Sequence, residues 1–200
     1  KDKMKFARHG HSACSLSNKF IIVTGSRKEQ ESAHTKCEQY NIDLDIWFEI
    51  SSLNEGRHYH ASCSFKDKYV YVFCGISNAS KKYINSIERY DSTGQKRWEL
   101  VPVNCPNFNG RQGLGLAQTN NEEILVFGGF SGKYMKDAYV FNPIKREMRQ
   151  TTPPVQEIFS FQMPTFYEKT TGTVYTADWT QLKIFSYKAN SWSIVADLKK

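Results

Sequence analysis

Short apolar runs rich in Val, Ile, Phe and Tyr recur along the chain, separated by clusters of Lys, Asp, Asn, Ser and Gly. The clearest unit runs from residue 57 to residue 100. Residues 60–65 alternate small and larger side chains, Lys66-Asp67-Lys68 is polar, and residues 69–74 form a β-branched and aromatic run that stops at Gly75. Alternation followed by an unbroken apolar run predicts a hairpin whose second strand is buried. After a polar loop at 76–83, residues 84–90 read as a third strand. Asp91-Ser92-Thr93-Gly94 supplies turn chemistry, and Trp98 opens a fourth strand. Four short antiparallel strands of this kind make one blade-sized sheet.

The unit recurs, and the recurrence decides the fold class. One column carries Arg8, Arg57 and Arg111, with Ser160 in the fourth copy. A second carries Gly25, Gly75 and Gly129, with Asp178 in the fourth. A third carries Tyr40, Tyr90, Phe141 and Tyr187, and a fourth carries Trp47, Trp98, Met148 and Trp192. All four columns advance together at steps of roughly 44 to 54 residues. The blades are therefore expected at 6–52, 55–103, 109–152 and 157–198, within one region covering 1–200. In the first copy the strands are expected at 11–16, 20–24, 37–41 and 46–50. The third copy keeps an apolar run at 124–129 and a strand at 137–142; the connection before it contains Pro102 and Pro106 and cannot be a central strand. The fourth copy is degenerate, with Pro164 inside its expected first strand at 161–167 and a second strand at 174–177. The polar stretch 26–36 is a solvated loop.

Residues Gly128-Gly129, Tyr90-Asp91, Phe141-Asn142, Trp47, Trp98 and Trp192 give the chain a pattern that resembles the kelch repeat. Departures are Thr24-Gly25 and Cys74-Gly75 in place of the glycine doublet, and Ala177-Asp178 in the last copy. The resemblance implies an all-β, kelch-type β-propeller with four four-stranded blades visible. Such propellers usually close with about six blades. The chain starts on a first strand, lacks an initial Met and shows no leftover strand for a shared closing blade. It is expected to be part of a larger propeller, a closed four-bladed ring being the alternative.

The formal charge is +7, yet Lys81-Lys82, Lys96-Arg97, Lys145-Arg146 and Lys199-Lys200 lie in different turns. Neither a long basic run nor an aromatic-basic platform marks nucleic-acid binding. No apolar run approaches the length of a membrane span. The five cysteines, Cys14, Cys37, Cys63, Cys74 and Cys105, are odd in number and unpaired in spacing, which fits buried thiols in a cytoplasmic protein. His9 with His11, and His58 with His60, have an i, i+2 spacing that could share a strand face. A third metal ligand is not evident, so no metal or other cofactor is expected and these histidines read as hydrogen-bonded structural groups.

The repeated Arg8, Arg57 and Arg111 can clamp neighbouring blades through bidentate hydrogen bonds, and can also line the channel mouth and meet an acidic partner. Two residues further on, Gly10, Tyr59 and Gly113 start the innermost strand, and Tyr59 has the side chain suited to contact. The runs 26–27, 76–78 and 130–133 would form the same rim, with Phe130, Tyr134 and Tyr83 as aromatic anchors. No nucleophile elbow, phosphate loop, zinc helix or carboxylate pair is present, so no catalytic residue is assigned. The resulting expectation is a non-enzymatic module that binds a protein or peptide through its loops, as substrate receptor, cytoskeletal binder or scaffold. The alternatives are an enzyme with a channel site, and an architectural subunit of a larger assembly.

Overall fold

The computed structural model describes residues 2–27, 35–119, 122–160, 165–178 and 180–198. Among these residues, strands build four four-stranded antiparallel sheets and one two-stranded pair. They fall into two compact units, Lys1–Pro102 and Val103–Lys200, of two blades each.

In the first unit, blade 1 is β1 (Ser12–Leu16), β2 (Phe20–Thr24), β3 (Cys37–Asn41) and β4 (Ile46–Ile50), paired in that order. Three of these strands have the bounds that their apolar runs predict. The expected loop at 26–36 falls largely on residues 28–34, outside the described residues. Blade 2 consists of β6 (Ala61–Phe65), β7 (Tyr69–Phe73), β9 (Ile87–Asp91) and β10 (Trp98–Val101), with β5 (Arg57–His58) and β8 (Ile76–Ser77) paired beside it. The third strand of this blade starts at Ile87 rather than at residue 84. Ile84 leaves the ladder because its N–H turns back to the Gly75 carbonyl.

Register explains the core of this unit. Directly paired residues share a face, so Val70, Tyr90 and Trp98 line one side of blade 2. That side packs on Leu16, Ile22 and Cys37 of blade 1. Innermost strands β1 and β6 lie side by side, with a 2.7 Å hydrogen bond between the Ser12 and Ser62 hydroxyls. Trp98 is buried, and its Nε1 donates to the Ser51 carbonyl at 3.0 Å, tying blade 2 to the segment that leads out of blade 1. Trp47 differs. It pairs with Tyr40 on the opposite face of blade 1 from Ile22, where unit 1 supplies no second blade, and it is only partly buried.

The second unit repeats the scheme. Blade 3 is β11 (Gly115–Gln118), β12 (Ile124–Phe127), β13 (Ala138–Asn142) and β14 (Glu147–Gln150). Blade 4 is β15 (Thr165–Glu168), β16 (Thr173–Asp178), β17 (Lys183–Lys188) and β18 (Ser191–Asp197). Part of the first strand expected in the fourth copy, including Pro164, lies outside the described residues; the described part begins at Thr165. Trp192 packs on Phe127 at 4.9 Å between ring centroids, and its Nε1 donates to the Thr152 carbonyl at 3.0 Å. The interaction is the counterpart of Trp98 with Ser51. No helix among the described residues is long and apolar enough to cross a membrane.

Candidate functional site

The repeated arginines organise each blade from within. Arg8 donates to Glu38 on β3 at 2.8 Å and to the Gly25 and Lys36 carbonyls. Arg57 bonds Glu88 on β9 at 2.8 Å together with the Cys74 and Ser86 carbonyls. Arg111 bonds Asp137 and the Gly128 carbonyl. All three side chains are fully buried, at 0% exposure. The expected clamp therefore acts inside one blade rather than between neighbours, and burial removes these arginines from the rim that a partner would touch. Their donors are all directed at their own blade, because an unpaired buried guanidinium would be very costly.

The clamp also corrects the alignment of the copies. Each arginine reaches a carbonyl 17 residues later, on Gly25, Cys74 and Gly128. Gly25 thus stands with Cys74 and Gly128, and not with Gly75 and Gly129. These three share a left-handed φ of 65°, 61° and 61°. Glycine serves at the position because the next blade comes close. A Cβ on Gly25 would lie 2.3 Å from the Arg57 carbonyl oxygen, and one on Gly128 would lie 2.1 Å from that of Ile158. Ile158, and not Ser160, therefore occupies the place of Arg57 in blade 4. Here the clamp is replaced by buried Asp178, which accepts from the Phe159 N–H at 2.6 Å and from the Thr180 hydroxyl at 2.8 Å.

Above the clamps, the ends of the second strands form a rim in each unit. Gly10, Tyr59 and Gly113 share a left-handed φ of 64°, 54° and 62°. Two copies use glycine there; Tyr59 holds the same conformation at a cost of about 1 kcal/mol. Its ring covers Gly10, where a Cβ would lie 2.7 Å from Tyr59 Cε1. Arg27 reaches across from blade 1, its guanidinium 5.7 Å from the Tyr59 ring centre and its Nη1 donating to the hydroxyl at 2.9 Å. His58 stands edge-on to Tyr59 at 4.9 Å and bonds Asn78, which donates in turn to the Ser26 carbonyl. Tyr83 is exposed and bridges to Ile76 on the same rim.

Unit 2 builds the corresponding constellation from aromatic rings. Phe130 stands where Arg27 does, since its N–H bonds the Gln112 carbonyl as the Arg27 N–H bonds that of His9. Phe159 covers Gly113 as Tyr59 covers Gly10. Phe130, Tyr134 and Phe159 have ring centroids 5.2 to 6.3 Å apart, with Tyr134 well exposed. A cleft of about 440 Å³ opens next to them, lined by Lys133, Tyr134, Glu157, Asp178, Thr180 and Gln181. Arg27 falls in a run expected on the rim but was not singled out there, and Phe159 was not assigned at all, because the role of each depends on touching a residue from a different blade.

Of the four histidines expected to be structural, His58 and His60 are hydrogen-bonded groups of the blade seam, while His9 and His11 make no side-chain hydrogen bond among the described residues. His60 Nε2 and the Thr24 hydroxyl are 2.7 Å apart, while its buried Nδ1 has no partner among the described residues. Burial, reinforced by the Arg57 charge, holds His60 well below the ordinary histidine value of 6.5, and burial with nearby Arg8 lowers His11. The unfolded chain then binds more protons than the folded one below pH 6.5. This contribution to stability is present above that pH and is lost as the pH falls. Melting temperature is expected to drop between pH 7.5 and 5, with a shallower slope in His60→Asn; equal slopes for the two proteins would contradict this. Burial pushes the thiols of Cys14 and Cys37 up to about 12, which makes them packing side chains. Among the described residues, no three His, Cys, Asp or Glu side chains come together to hold a metal.

Four-stranded blades joined by Trp-to-carbonyl bonds, three of the four fastened by a buried Arg–carboxylate clamp beneath the rim, define a kelch-type β-propeller protein. The chain belongs to the family described as the KLHDC2/KLHL20/DRC7 Kelch-repeats domain, which matches residues 1–161. It is 33% identical to human Kelch-like protein 24 over 88 residues, 44% of this chain and 13% of that protein. It is 24% identical to Beta-scruin of Limulus polyphemus over 126 residues, 60% of this chain and 13% of that protein. The matches thus span about an eighth of these relatives' length. Among solved structures, that described as "Structure of YjhT" aligns with a TM-score of 0.79 at 14% identity, covering 98% of this chain and 67% of its own. That likeness concerns the fold.

Proposed function

We propose that the chain is a binding module whose rim, at 9–10, 26–27, 58–59 and 76–83 in unit 1 and at 112–113, 130–134 and 157–159 in unit 2, captures a peptide segment of a protein partner. The observation that carries this reading is the left-handed Tyr59. Residues held in costly conformations persist where they serve a purpose, and this one places an aromatic ring on the rim where the neighbouring copies have glycine. Exposed Tyr134 and the adjoining cleft give the second unit a surface of its own of the same kind. Substrate receptor, cytoskeletal binder and scaffold are all served by this chemistry. The five free thiols support the cytoplasmic setting.

The blades belong, in this reading, to a larger propeller of about six. Lys5 N–H bonds Glu38 at 2.6 Å as Asn54 N–H bonds Glu88 at 2.7 Å, so residues 2–5 run into blade 1 as an inter-blade connection. The Tyr40–Trp47 face matches the Tyr90–Trp98 face that blade 1 covers. A further blade fits there.

The test is selection of peptides from a random phage-displayed library on the folded protein. Peptides should be enriched, and their binding should be weakened in Tyr134→Ser or in Tyr59→Gly without a fall in melting temperature, while Lys145→Ala in the opposite turn has no effect. Enrichment of no peptide, or binding that ignores both rim variants, would overturn the reading.

A further inference from the structure

Resting on the reading of the rim as a peptide surface, we infer that Arg27 and Tyr59 form a receptor for the side-chain carboxylate of a glutamate or aspartate in the bound segment. The guanidinium of exposed Arg27 is laid against the Tyr59 ring and fixed at one corner by the Tyr59 hydroxyl, 2.9 Å away. One corner spent on Tyr59 leaves the rest of the fork's donors available. No carboxylate among the described residues pairs with Arg27. Three of the other arginines of this unit show the contrast: Arg8 and Arg57 are buried against Glu38 and Glu88, and Arg89 pairs with Glu99.

Pre-organisation is the second support. A free arginine loses several rotamers on binding; one already stacked and hydrogen-bonded loses fewer, so more of the charge-assisted bonding appears as affinity. The stack exists because Tyr59 accepts the left-handed backbone and Gly10 leaves room for its ring. Arg27 itself is pinned by its N–H to the His9 carbonyl. His58 and exposed His9 border the platform without adding an acid.

A carboxylate fits better than a phosphoryl group. A planar fork bonds a carboxylate bidentately, whereas recognition of a phosphorylated residue generally uses a cluster of arginines. One cation stands on this platform among the described residues. The chain's formal charge of +7 also favours approach of an acidic segment.

The same phage-displayed library separates this inference from the reading beneath it. Peptides selected on the unaltered protein should carry Glu or Asp at one fixed position. Changing that residue to Gln or Asn should weaken binding about tenfold or more, as should Arg27→Lys, which keeps the charge and loses the fork. Tyr59→Gly suits the left-handed backbone, so it should keep or raise the melting temperature while losing the acidic preference. Peptides that bind the rim with no acidic position, or that bind Arg27→Lys equally well, overturn the carboxylate receptor and leave the peptide-binding reading standing. Tighter binding of the peptide carrying phosphoserine at the acidic position overturns it in favour of phosphoryl recognition. Selection of no peptide overturns both.

Discussion

Glu88→Ala is expected to destabilise the first unit by about 3 to 5 kcal/mol, the usual cost of stripping one partner from a buried ion pair. Glu88 and Arg57 are both fully buried, 2.8 Å apart. Glu88 also accepts from the backbone N–H groups of Asn54 and Glu55 and from the Asn54 side-chain amide. Its removal leaves a buried guanidinium and several buried N–H groups without their acceptor at once. Urea denaturation monitored by tryptophan fluorescence measures the loss. Adding Arg57→Ala to Glu88→Ala should cost less than the sum of the single changes, because the stranded charge is then gone. A single-variant loss within about 0.5 kcal/mol, the usual scale of a surface change, would deny the clamp its role.

Trp98→Ala should cost about 3 to 5 kcal/mol, as expected for a large aromatic deleted from a core. Its ring packs beside Tyr90 at 5.4 Å and faces Leu16 and Ile22, and its Nε1 bond to Ser51 fastens blade 2 to the segment leaving blade 1. Trp47→Ala should cost clearly less, since Trp47 retains more solvent contact in this unit. Equal losses at the two tryptophans would contradict the assignment of Trp98 to the blade seam.

Strands were legible where β-branched and aromatic runs meet turn chemistry. Phe20–Thr24, Cys37–Asn41 and Ile46–Ile50 are bounded by polar turns, and the pattern leaves their ends little freedom. The seam was legible too, since Trp98 and Trp192 recur at the same place. The register of the glycine column was not: aligning on the last glycine of each run joined Gly25 to Gly75, while the arginine clamp and the left-handed φ join it to Cys74. A repeated spacing of 17 from the arginine was the available signal. The clamping acids were overlooked although an acid-X-Tyr triplet stands at 38–40, 88–90 and 137–139. Without those acids the arginines remain open to a surface role, and only their burial decides it. The rim was half legible. Tyr59, Tyr83 and Phe130 were identifiable as aromatic residues in loops, but the pairing of Arg27 with Tyr59, and of Phe159 with Phe130 and Tyr134, depends on contacts between blades that no local pattern encodes.

The central claim, that the rim is the recognition surface, is tested most directly by backbone amide hydrogen exchange on the protein with and without a library-selected peptide. The account predicts added protection at 9–10, 26–27 and 58–59, at 112–113 and 130–134, or at both sets, with none at the opposite turns around 17–19, 66–68 and 142–146. Protection confined to those turns, or to the outer strands β4, β10, β14 and β18, would contradict it.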